Sequence, residues 1–169
     1  MQDEYAKPRS VSGSKAAIGV FIAGFALFGD LVVGGVVILL AALANPLVVW
    51  TIAAACVALI NMACCHWVVR EWASFIDGPG AGVAKRVDSL REARLTRRPI
   101  AWLSEADDRR FALAAILTNA ITAVAAARAL GTRVDARRIV VASVSFAAVS
   151  CALHATFGFI LGELIRSAA

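Results

Sequence analysis

From position 16 to position 43 the chain is apolar with a single interruption, Asp30, and no other Asp, Glu, Lys or Arg falls between Lys15 and Arg70. A helix over 16–43 has no polar face to offer water, so the pattern predicts a transmembrane segment rather than an amphipathic surface helix. Asn45-Pro46 breaks the run. Asparagine is a favoured helix N-cap and proline a favoured first helical residue, so the pair predicts a tight turn into a second transmembrane helix over 47–69. Trp50 and Trp67, about 25 Å apart along such a helix, suit an aromatic anchor at each interface.

Gly78-Pro79-Gly80 closes this pair, and the pattern changes. Over 81–98, Val83, Val87, Leu90 and Ala93 recur near helical spacing, with charged residues opposite, which predicts an amphipathic helix lying at the membrane interface. Its basic residues are Lys85, Arg86, Arg91, Arg94, Arg97 and Arg98. Ser104 and Asp107 form a capping-box variant that opens a third transmembrane helix over 111–130. Gly131 ends it, and Asp135 caps a fourth over 139–165. The expected fold is therefore an all-α membrane protein of four transmembrane helices, arranged as two antiparallel hairpins, plus one interfacial helix.

Composition supports this class: 60% of the 169 residues are hydrophobic and the mean hydropathy is +0.77, against about 45–50% apolar residues in soluble domains. The run over 16–43 far exceeds a secretory h-region of roughly 7–15 residues, which favours a retained helix over a cleaved leader. The net charge of +5 gathers beside the apolar runs, where anionic headgroups at the cytoplasmic face are the natural partner. No zinc-finger spacing or aromatic-basic surface points to nucleic acid. In a four-span arrangement thirteen Lys and Arg share one side against four on the other, Arg128, Arg133, Arg137 and Arg138. That asymmetry predicts a multi-pass protein of the cell membrane with both termini cytoplasmic. The four arginines dissent: if the third segment does not cross, the C-terminus moves to the opposite side.

Candidate chemistry is sparse. Asp30, Asn61, Asn119 and His154 fall near the midpoints of the four segments, one on each. An unpaired aspartate at a helix centre costs ~2.5–3.5 kcal/mol, so these side chains are expected to face inward and meet. They form either a proton or substrate relay or an interhelical clasp that fixes register. Cys56, Cys64, Cys65 and Cys151 lie inside apolar runs and read as small hydrophobes. His66 and His154 sit at different depths, which argues against haem, and no ligand spacing marks a metal site. Gly19, Gly24, Gly29 and Gly34 recur every five positions, a spacing that does not hold one helix face.

No nucleophile or paired-carboxylate arrangement indicates an enzyme, and no cofactor is expected. The leading expectation is a non-enzymatic subunit or assembly and scaffold factor of a membrane complex, contacting other membrane proteins or itself. The alternative is a small oligomeric transporter or channel that uses Asp30 and His154 for proton or ion coupling.

Overall fold

The computed structural model describes residues 13–72 and 107–168, and every secondary-structure element among them is helical. The interfacial segment 81–98, with Lys85, Arg86, Arg91, Arg94, Arg97 and Arg98, lies outside the described residues. Three long helices carry the architecture: α1 (Gly13–Leu43), α2 (Pro46–Arg70) and α5 (Ala136–Ala168). At 1.5 Å per residue they extend about 46, 37 and 50 Å, each longer than the ~30 Å hydrocarbon core of a bilayer. All three are long and apolar enough to cross a membrane. Between α2 and α5 lie two short helices, α3 (Asp108–Thr118) and α4 (Ala120–Ala129).

The punctuation acts as the sequence predicts. The Asn45 side chain accepts hydrogen bonds from the Leu47 and Val48 amides, and Pro46 takes the first helical position of α2. Asp135 accepts from the Arg138 amide at 2.9 Å and so caps α5. Gly131, at φ +78°, closes α4. Its amide donates to Arg128 O and the Thr132 amide to Ala127 O, the two bonds of a Schellman ending. Asp107 caps α3, through the Arg110 amide, while Ser104 lies outside the described residues.

α1 and α5 run parallel. Asp30 meets Ser150, Gly34 meets His154, Ile38 meets Gly158 and Ala42 meets Gly162, each step advancing four residues on both helices. A Cβ on Gly158 would overlap the Ile38 carbonyl oxygen, and one on Gly162 would come within 2.7 Å of Ala42 O. The two backbones therefore touch, which only small residues four apart allow. The backbone contact is made by the Gly158-x-x-x-Gly162 pair of α5, and of the α1 glycines Gly34 joins the same seam against His154. α2 lies antiparallel to both and packs Val57 and Ala58 against Ala147 and Cys151. The Trp50 indole donates to Ala148 O at 3.0 Å, tying it to α5.

α3 and α4 form a half-depth hairpin. Asp108, at the start of α3, pairs with Arg137 in the first turn of α5 at 2.9 Å, and α4 ends a few residues before that same turn. Between them Asn119 reaches inward to Ala26 of α1. Phe111, Ala115, Ile121 and Val124 bury against Cys65, Val68, Ile139 and Ala142, so the hairpin fills one half of the bundle. The other half, around Val37, Ala41 and Ala155, is built by the three long helices.

Of the expected fold, the all-α class and the long apolar helices α1, α2 and α5 are present among the described residues. The helix expected over 111–130 breaks at Asn119 into pieces of about 16 and 15 Å, each half the bilayer core. Among the described residues three helices have the length to cross. Because α1 and α5 are parallel, Gly13 and Ala168 lie at opposite ends of the bundle. The end that carries Gly13 is also the charged one. There Lys15 bonds Glu71 at 2.8 Å, which holds the Glu71 carboxyl below the usual carboxylate range. At the same end Arg128 lies over the Trp72 ring and Arg138 over Phe111, both at 5.9 Å.

A candidate polar site at the hairpin tip

Asn119 sits where two helices end and begin. Its φ of 112° and ψ of 161° leave the helical region altogether, and among the described residues it is the one non-glycine with positive φ. Such a conformation costs of order 1–3 kcal/mol and persists only when its surroundings hold it. Here all four polar groups of the residue hold it. Its amide donates to Ala115 O at 2.9 Å and its carbonyl accepts from the Ala123 amide at 3.0 Å. Its side-chain oxygen caps α4 through the Thr122 amide at 2.8 Å, while its side-chain nitrogen donates to Ala26 O at 2.6 Å. Broken backbone deep in a bundle is tolerated where protein partners satisfy its polar groups, as they do here.

Immediately inside the tip is a small cavity lined by Asp30, Asn61, Asn119, Ser150, Cys151 and His154, with Phe25 and Phe146 among its apolar walls. All four side chains singled out at mid-segment thus line one space. The space open to the centre of a water-sized sphere is about 20 Å³, and one water needs ~10–15 Å³ on the same measure.

Two of the four are joined through a residue that the sequence reading passed over. The Ser150 hydroxyl donates to Asp30 Oδ1 and lies 3.4 Å from His154 Nδ1, making a line from α1 into α5. Ser150 and His154 are one turn apart on α5, and that i, i+4 spacing was the available signal. His154 is half-buried, and its Nε2 edge packs on the bare backbone of Gly34, where a Cβ would collide with the ring. The carboxylate of Asp30 keeps an exposed edge on the outer face of α1. Asn61 is 1% exposed, and its side-chain nitrogen has no hydrogen-bond partner. A buried amide left unpaired costs about 1–3 kcal/mol.

Chemically, the arrangement offers a carboxylate, a hydroxyl and an imidazole in sequence. A hydroxyl donates and accepts at once, so Ser150 can take a proton from His154 Nδ1 as its own passes to Asp30. The N-terminus of α4, where a helix dipole favours negative charge, abuts the same cavity through Asn119. His66 is exposed on α2 and lines no part of it. Among the described residues no three His, Cys, Asp or Glu side chains gather as a metal site. No known protein family, curated protein or solved structure matches the chain.

Proposed function

We propose that the protein is a small, oligomeric transporter or channel of the cell membrane in which Asp30, Ser150 and His154 relay protons at mid-depth. The observation that carries this reading is the hydrogen-bonded line from Asp30 through Ser150 to His154, beside a water-sized cavity at a strained helix break. A clasp that only fixed register would need one bond between two helices. Here polar groups from all three long helices and the hairpin converge. In the relay, His154 gives its Nδ1 proton to the Ser150 oxygen as the Ser150 proton moves to Asp30. Asp30 then releases its proton, and rotation of the hydroxyl with reprotonation of the ring restores the start. Asn119 positions the hairpin and is not itself a carrier.

Orientation follows from charge. With α3 and α4 entering and leaving at one end, Arg166 is the lone Lys or Arg at the far end among the described residues, and the other eight belong to the end that carries Gly13. That asymmetry favours the Gly13 end in the cytoplasm and the Ala168 end on the other side. Self-association is supported by the exposed edge of Asp30. It lies among Leu27 and Leu31, which are 75% and 76% exposed in the single chain. A carboxylate open to lipid at that depth is costly, and a second copy packed on α1 removes the exposure.

A second reading, a non-enzymatic subunit or scaffold factor, is favoured by a different observation. An apolar groove of about 400 Å³ runs along the outer side of α2 and α5, lined by Leu47, Trp50, Ala152, Thr156 and Phe159. The two readings separate in liposomes carrying an internal pH dye. Under an imposed potential the parent should move protons, and Asp30→Asn, which keeps shape and hydrogen bonding, should fall to background while remaining folded. Full flux in Asp30→Asn sinks the relay, and no flux in the parent leaves the scaffold reading.

A further inference from the structure

The unpaired nitrogen of Asn61 is a polar group of the cavity that the Asp30–Ser150–His154 line does not use. Its isolation is physically expensive: the residue is almost fully buried, the nitrogen is a donor, and neither lipid nor apolar side chains can accept from it. The cavity it lines is too small for an organic molecule and large enough for one water. An anion is disfavoured by the Asp30 carboxylate on the same wall. A cation is disfavoured because the orphaned group is a donor.

We infer that the cavity is a single-water site, with the water accepting from Asn61 Nδ2 and donating to the polar wall formed by Asp30, Ser150 and His154. A buried water makes about three hydrogen bonds, and this wall supplies acceptors enough: the carboxylate oxygens of Asp30 and the Ser150 hydroxyl. The water ties α2, the one long helix absent from the hydrogen-bonded line, to α1 and α5. Asn61 is then a positioning residue that holds the water. The existence of the water stands on the cavity and the orphaned amide alone. Its part in moving protons rests on the relay proposed above.

The test uses the full chain, isotopically labelled and reconstituted in liposomes. Solid-state NMR with magnetisation started on water should show direct transfer to the Asn61 side-chain nitrogen at short mixing times, while the Asn45 side chain at the exposed turn serves as the solvent reference. Absence of that transfer in the parent overturns the inference without any variant. Infrared difference spectra in ¹⁸O water give the second readout. An internal-water band that shifts with the isotope should be present in the parent and lost in Asn61→Leu, whose side chain fills the space without a donor. A band that survives in folded Asn61→Leu also overturns the site. If the water is found and Asp30→Asn still conducts, the site stands and the relay falls.

Discussion

Gly34 and His154 meet face to face on the α1–α5 seam, the imidazole occupying the volume that any side chain at position 34 would need. A histidine midway along a membrane helix thereby lies against peptide backbone, with its other ring nitrogen turned to Ser150. Gly35, the next residue, faces open space.

This pair of adjacent glycines gives a contrast. Gly35→Ala should be neutral or stabilising by up to ~1 kcal/mol, the ordinary helix-propensity gain. Gly34→Ala should lose about 1–3 kcal/mol to overpacking and displace the ring from Ser150. Unfolding in mixed micelles measures the first effect, and the His154 ¹⁵N shifts measure the second. Equal behaviour of the two variants would mean that the seam is looser than described.

Side-specific labelling tests the half-depth hairpin. With the native cysteines replaced, a cysteine introduced at Thr132 should react from the cytoplasmic side and one at Ser167 from the opposite side. Thr132 reacting on the same side as Ser167 would restore a fourth span.

Much of the local structure was legible in the sequence because it depends on short-range chemistry. Asn45-Pro46, Gly131 and Asp135 each act through a backbone bond within a few residues, and each stands where the pattern put it. The convergence of Asp30, Asn61, Asn119 and His154 was legible for a different reason: polar groups far from water have few places to go. The break at Asn119 was not. Phe111 through Leu130 is alanine-rich, with Thr118, Asn119, Thr122 and Arg128 its polar positions, so hydropathy sees one segment. What interrupts it is a long-range bond to Ala26 O, ninety-three residues away in sequence. The parallel packing of α1 and α5 escaped for the same reason, since Gly158 and Gly162 acquire meaning only against Ile38 and Ala42.

Asn119 should be hard to replace, in a graded way. Asn119→Ala loses the cap on α4 and the bond to Ala26 while keeping the positive φ, for a cost of about 2–3 kcal/mol. Asn119→Gly loses the same bonds but relieves the backbone, and should be less damaging by roughly 1 kcal/mol. If alanine proves the milder change, α3 and α4 have rejoined into one helix, which circular dichroism would register as added helicity.

At the charged end, Lys15 holds the Glu71 carboxyl below its usual range by a direct hydrogen bond. A depressed carboxylate stabilises the fold at pH values above its unfolded pKa, and that contribution disappears as pH falls through the lowered folded value. The effect should be small, because the pair is exposed and screened by salt. The unfolding midpoint of Glu71→Gln should therefore be flatter than the parent's across the acidic range. Parallel curves would show that the pair contributes nothing.

The hairpin of α3 and α4 also constrains how the protein is made. Each arm is too short to cross a bilayer, and the tip carries an asparagine whose side chain bonds into α1, so lipid alone offers the segment no resting place. Its walls are α1, α2 and the first half of α5, and α5 follows it in the chain. If the chain inserts in the orientation proposed above, three helices are delivered while the hairpin waits at the surface, and it enters only when α5 has arrived. Assembly of the polar site is then the last of two stages. Under the proposed relay, an incompletely inserted chain has no cavity, and so no path for protons to leak through while synthesis is under way.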